Sequence, residues 1–290
     1  MSAGEASVIV ACLQFEPKIG DLAVNRTNAL NLINTVADAG AKLIVLPELS
    51  DSGYVFTTRD EAFQNSGTAT ESDTIQGWVE VARERDLHIV GGFCEREDGK
   101  LFNSAAVVGP EGLIGVYRKT HLWDAENLWF DPGDRGYPVF ATRLGRIGVL
   151  ICYDGWFPEA WRLLAMQGAD IVCVPTNWVP MPSQPASLPS MSNILCMGAA
   201  HSNSFCVAAA CRIGTERGQP FIGQSVIVNH EGWPVAGPAS VDGTEALTAK
   251  MNLADARRKR RLNDFNQLLR DRRTDLYDEM LGTDLKPGWY

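Results

Sequence analysis

Histidine is scarce in this sequence. There are four in 290 residues, His88, His121, His201 and His230, and none forms an H-x-x-x-H pair with another. The seven cysteines are odd in number and contain no C-x-x-C. The usual spacings for a zinc or other metal site are therefore missing, and no metal or organic cofactor is expected. Several cysteines lie inside apparent strands, so they read as reduced thiols in a reducing, cytoplasmic compartment and not as a disulfide framework. No apolar run reaches the ~18 residues that span a bilayer. The first residues lack the basic n-region of a signal peptide. Positive charge is also short: 26 Lys and Arg stand against 35 Asp and Glu, a net charge of −9. That balance argues against nucleic acid or an anionic membrane as a partner. With no Ser/Gly-rich linker and no low-complexity segment, residues 1–290 read as one domain.

What is present is ordinary globular material, 45% hydrophobic and 21% charged, enough for a large core. A strand is expected over Val8–Phe15, a helix over Asn25–Ala39 and a second buried strand over Leu43–Leu46. A helix over Ser72–Arg85 and a strand over Leu87–Phe93, broken by Gly91-Gly92, follow. A hairpin joins Leu101–Val108 to Leu113–Tyr117. The second half repeats the theme. It has a strand at Ile147–Ile151, a helix over Glu159–Gln167, a strand at Ile171–Val174, a helix over Ser190–Asn203 and a strand at Phe205–Ala210. A hairpin then runs from Gln224–Val228 through Asn229-His-Glu-Gly toward Met251. Strand and helix alternation closed by a hairpin, twice, implies an α/β fold in which two α/β layers form a sandwich. The tail differs. Ala254–Leu262 reads as a helix carrying Arg257, Arg258, Lys259, Arg260 and Arg261, a solvated face or a subunit contact. The remainder to Tyr290 reads as an arm anchored by Leu268, Leu269, Tyr277 and Leu281.

The chemistry converges on Gly148–Glu159. Cys152 leaves the end of the buried strand just before Phe157-Pro158-Glu159 opens a helix. Side chains at that point of an α/β fold face the crevice where ligands bind. The helix N-terminus there favours a thiolate and an oxyanion, as in a nucleophile elbow with Cys in place of Ser. A nucleophile needs a base and donors. Glu48 ends an apolar strand in Val45-Leu-Pro-Glu48, an expensive place for a carboxylate without a partner or a task. An ion pair or a helix cap is one reading of it, a general base the other. Lys119 follows a hairpin strand and precedes Leu122-Trp123, where an inward ammonium would stabilise an oxyanion. Glu126 is an acidic residue in a loop whose neighbours Asp124 and Asp131 look more exposed.

These motifs, in this order and at these separations, resemble the nitrilase superfamily of carbon–nitrogen hydrolases. The resemblance extends through Phe130-Asp-Pro-Gly-Asp134, Pro175-Thr-Asn-Trp178, Arg212-Ile-Gly-Thr-Glu216 and Phe221-Ile-Gly-Gln-Ser225, nearly the whole chain. It implies a four-layer αββα sandwich with a C-terminal arm, pairing across a helical face into a homodimer or higher homo-oligomer. It also implies a triad of Glu48, Lys119 and Cys152, with Glu126 as second glutamate. The oxyanion donors would be Lys119 and the backbone N–H of Tyr153. One motif departs: many members carry Arg-Ala-x-Glu-Asn where this chain has Ala199-Ala-His-Ser-Asn203, which touches a supporting or subunit contact and not the triad.

The substrate follows less directly. True nitrilases usually place Trp-Glu after the nucleophile, whereas Tyr153-Asp154 is more amidase-like. The loop after Pro175 has no Arg or Lys for a carboxylate-bearing substrate. Tyr54, Trp123, Tyr153, Trp156 and Trp178 lie near the motifs and suggest, with Asn177, an aromatic pocket for a neutral amide; ordinary core packing is the competing reading of each. The expectation is an amidase that hydrolyses a small, fairly apolar carboxamide to acid and ammonia. An N-carbamoyl amide hydrolase is the alternative, then a nitrilase. A catalytically silent binding or assembly protein and a thiol-redox protein are readings from other classes.

Overall fold

Successive residues of a strand face opposite sides, and in this chain both sides are apolar. In the first strand Val8, Val10 and Cys12 enter one core while Ala11 and Leu13 enter another. In the second, Leu43 and Val45 join the first core and Ile44 and Leu46 the other. Strands covered on both faces read as near-continuous apolar runs. The computed structural model describes residues 7–185, 187–258 and 260–281.

One six-stranded sheet contains β1 (Val8–Gln14), β2 (Leu43–Val45), β3 (His88–Glu97), β4 (Lys100–Gly109) and β5 (Gly112–Arg118). The first three strands are parallel; the β3–β4 and β4–β5 pairs are antiparallel. The other sheet contains β6 (Val139–Thr142), β7 (Gly145–Val149), β8 (Ile171–Thr176) and β9 (Cys206–Cys211). After a ribbon of β10 (Thr215–Glu216) and β11 (Gln219–Pro220), β12 (Val226–Val228) and β13 (Pro234–Ala236) complete it as a hairpin. The last strand, β14 (Glu245–Met251), does not extend that hairpin as expected. It crosses to the first sheet and pairs antiparallel with β1, Val8 opposite Met251. The crossing ties the two sheets together and covers the β1 edge.

The two sheets share one core between them. Helices α1 (Leu22–Asp38) and α3 (Asp73–Arg85) close the far face of the first sheet, through Ala29, Ile33, Val36, Ile75 and Trp78. Helices α5 (Pro158–Met166) and α6 (Met191–Asn203) close the second, through Trp161, Leu164, Cys196 and Ala200. This is the expected four-layer αββα order. The short helices α2 (Arg59–Gln64) and α4 (Glu126–Trp129) lie on connections near one end. In the divergent Ala199–Asn203 stretch, Asn203 Nδ2 is used locally, donating to Ala199 O.

The tail corrects two expectations. Helix α7 covers only Leu253–Arg258 and α8 covers Thr274–Leu281. The arginines are not a plain solvated face: Arg257 pairs with buried Asp170 at 2.9 Å and Arg260 donates to Ala169 O. Leu269 packs on the central core, whereas Leu281 is exposed. Lys259 and the arm beyond Leu281 lie outside the described residues. Among the described residues no helix is long and apolar enough to cross a membrane.

Candidate active site

All seven cysteines are free and buried. Cys152 is 8% exposed and the other six at most 2%, so it alone has a path to a ligand. It sits after β7 with φ +47°, a left-handed conformation that costs a non-glycine residue about 1–3 kcal/mol. A single 3₁₀ turn, Cys152–Trp156, separates it from α5. Buried Asp154 holds this turn by accepting four hydrogen bonds. Its Oδ1 takes His121 N at 3.0 Å and His121 Nδ1 at 2.8 Å. Its Oδ2 takes Ile151 N at 3.0 Å and Tyr117 OH at 2.7 Å. The network thereby assigns the His121 ring proton to Nδ1. The elbow's preference for a thiolate is opposed by the rest of the site. Burial, and then the charge of Glu48, push the Cys152 thiol well up, against the pull of Lys119. The resting group is a thiol that needs a base.

Glu48 follows β2 and is fully buried. Gly92 makes its position attainable: a Cβ there would lie 2.6 Å from Glu48 Cα and 2.5 Å from Leu49 N. The expected Gly91-Gly92 break is thus a close approach of β3 to the Pro47-Glu48 backbone. Glu48 Oε1 accepts from Lys119 Nζ at 2.6 Å and Asn103 Nδ2 at 2.7 Å. Its Oε2 is buried with no partner among the described residues. Lys119 lies at the end of β5 and bonds Glu126 Oε1 at 2.7 Å as well. Burial works against its charge, but Glu126 and Glu48 outweigh that and raise its pKa above the ordinary lysine value. Gly133 seats the Phe130–Asp134 turn on this strand end, donating to Lys119 O; a Cβ would lie 2.2 Å from Arg118 O. Arg118 itself pairs with buried Glu95 at 2.8 Å and with Asp134 at 2.9 Å.

Glu126 is not in a loop but begins α4, and it is buried where Asp124 is exposed and Asp131 half-buried. Burial raises its carboxyl to about 7, against the opposing charge of Lys119. Tyr54 OH donates to Glu126 Oε1 at 2.6 Å. Tyr54 therefore faces the glutamate and is not among the cavity-lining residues. Its loop is clamped by Glu216 Oε2, which accepts the Tyr54 and Val55 N–H groups at 2.7 and 2.6 Å. Arg212 pairs with Glu216 at 2.9 Å and stands 4.2 Å over the Phe221 ring.

Trp123, Tyr153, Trp156, Asn177 and Trp178 all line one small cavity with Cys152, joined by Val179 and Met181. Asn177 Nδ2 donates to Glu48 O at 3.0 Å. That leaves Asn177 Oδ1 and Trp178 Nε1 buried without partners among the described residues. The lining thus brings the Cys152 thiol together with Asn177 and Trp178, while Glu48 and Lys119 are buried outside it, near enough for their charges to act on the thiol. Such a set suits attack on a neutral carbonyl carbon bearing nitrogen.

Residues 9–261 match the family model described as carbon-nitrogen hydrolase. The chain belongs to the nitrilase superfamily of carbon–nitrogen hydrolases. It is 40% identical over 270 residues to a protein named nitrilase from Pyrococcus abyssi, covering 93% of this chain and 99% of the relative. It is 35% identical over 295 residues to N-carbamoylputrescine amidase of Solanum tuberosum, covering 96% of each. A carbon-nitrogen hydrolase from Helicobacter pylori superposes with a TM-score of 0.84 at 27% identity, covering 96% of this chain and 99% of that one. The enzyme is accordingly a hydrolase of carbon–nitrogen bonds other than peptide bonds. Sequence reasoning missed Asn103, which orients Glu48, and the four-donor setting of Asp154. Asn103 did leave a trace, a polar side chain inside the apolar Leu101–Val108 run.

Proposed function

We propose that this carbon–nitrogen hydrolase is an amidase that converts a small, fairly apolar carboxamide to carboxylic acid and ammonia. Glu48 takes the Cys152 proton on its unpartnered Oε2 as Sγ bonds to the carbonyl carbon. The tetrahedral oxyanion is held by the Lys119 ammonium and the Tyr153 backbone N–H. On collapse the carbon–nitrogen bond breaks, Glu48 returns the proton to nitrogen, and ammonia leaves. Water, deprotonated by Glu48, then attacks the thioester; the acid departs and the proton returns to sulfur. Glu126 keeps Lys119 charged and in line, and Asn177 Oδ1 accepts from the substrate amide nitrogen.

The observation that carries this reading is the ammonium fixed between two buried carboxylates close to the Cys152 thiol. It supplies base and oxyanion donor together without a charged substrate anchor. Among the described residues the cavity lining contains no Asp, Glu, Lys or Arg. A substrate ending in an ammonium, as the name N-carbamoylputrescine amidase implies for that relative, would find no carboxylate there. Ammonia release from neutral carboxamides, N-carbamoyl compounds and nitriles tests the proposal, with Cys152→Ala as control. Release chiefly from carboxamides and lost in the variant is expected. Release chiefly from carbamoyl compounds would overturn the substrate class.

Assembly as a homodimer or higher homo-oligomer belongs to the same proposal. Helices α5 and α6 leave Leu163, Met166, Met191 and Ile194 exposed, an apolar face suited to a second copy. Light scattering should give at least twice the mass of one chain; the mass of a single chain would remove the idea.

A further inference from the structure

The cavity at Cys152 is very small, about 20 Å³, room for little more than one water. A carboxamide group fills it, so any larger acyl substituent must extend beyond it. One wall is thin. Trp156, Trp178, Val179 and Met181 line this cavity on one side and a second cavity, of about 350 Å³, on the other. We infer that the substrate's acyl chain passes Met181 and occupies that second cavity. The inference rests on the amidase reading and narrows it to amides with an extended, neutral acyl chain.

Three observations point the same way. Leu188, Phe221, Ile222 and Val241 line the second cavity. Leu188 and Val241 are 56% and 54% exposed, apolar surface that a bound chain would cover. Among the described residues no Asp, Glu, Lys or Arg lines it, so a charged chain end would be desolvated without a partner. Of the polar side chains that line it, Gln184, Ser190 and Ser192 are hydrogen-bonded within the protein, while Gln224 Oε1 and Trp178 Nε1 are buried without partners among the described residues. A water or a neutral polar substituent satisfies them. Methionine is the side chain best suited to divide the two spaces, because an unbranched thioether changes rotamer at little cost.

The test is kcat/KM for straight-chain primary amides from propanamide to octanamide, with ω-amino and ω-carboxy heptanamide beside them. Burial of each methylene is worth roughly fourfold. Heptanamide should therefore exceed propanamide by at least tenfold, and either charged end should cancel the gain. Leu188→Trp, which fills the mouth of the second cavity, should collapse the heptanamide to propanamide ratio. Taking the ratio within one variant removes differences in the folded fraction. Cysteine-dependent ammonia release with a flat chain-length dependence would overturn the second subsite and leave the amidase reading standing. A ratio unmoved by Leu188→Trp would also overturn it. No release from any carboxamide would overturn the amidase reading and the subsite with it.

Discussion

Replacing Asp154 by Asn tests whether the four-donor carboxylate holds the Cys152 elbow. Each carboxylate oxygen accepts one backbone N–H and one adaptable group: Ile151 N with Tyr117 OH, and His121 N with His121 Nδ1. In Asn one oxygen becomes NH2. The tyrosine hydroxyl can rotate and the imidazole can change tautomer to accept from it, but a backbone N–H cannot. Whichever way the amide turns, one backbone N–H, the buried Ile151 or the part-buried His121, loses its partner, and the remaining bonds lose their charge assistance. A bond to a charged acceptor is worth about 1.5–3 kcal/mol and an orphaned donor costs about 1–3 kcal/mol. Relief of burying the carboxylate offsets part of this. The net loss expected is roughly 2–3 kcal/mol, a large share of a typical ~5–15 kcal/mol stability. Urea unfolding would measure it, and the rate of Cys152 alkylation would report on the elbow itself. A loss below about 0.5 kcal/mol, the range of ordinary surface changes, with unchanged alkylation would refute the reasoning.

Tyr54→Phe removes the 2.6 Å donor to Glu126 while leaving the ring against Phe221. Steady-state kinetics should show kcat down about tenfold with KM little changed; a KM effect alone would make Tyr54 a substrate contact. Burial raises the carboxyls of Glu126 and Asp51 to about 7. Between about pH 4.5 and 7 the folded protein thus keeps protons that the unfolded chain releases. Stability is greatest at the acid end of that window, falls as pH rises, and levels off above about 7. Urea unfolding should show a fall of up to about 3 kcal/mol per group. Glu126→Gln should remove its share and leave that of Asp51; an unchanged slope would contradict the assignment.

The layers were legible because their signal is local. Alternating apolar strands bounded by turn residues, and helices at regular spacing, appear within a dozen residues of sequence. The nucleophile, base and lysine were legible because each ends a strand beside a breaker or a motif residue. What stayed hidden depends on residues far apart. Strand β14 could have paired with either sheet, since its half-buried alternation fits any edge; only the open edge of β1 decides it. Glu126 looked like a loop residue because four helical residues leave no periodicity. Its hydrogen-bond partner Tyr54 lies 72 positions away. The elbow's local preference for a thiolate was legible, but burial and Glu48, which push the thiol the other way, act from the rest of the fold.

The central claim is a covalent acyl group on Cys152. It is tested most directly by quenching the enzyme with acid during turnover of a carboxamide and weighing the intact chain and its peptides. The expected result is a mass gain equal to the amide less the departed ammonia, on the peptide containing Cys152 and on none of the other six cysteines. Ammonia release that persists in Cys152→Ala, with no acylated peptide in the wild-type chain, would contradict it.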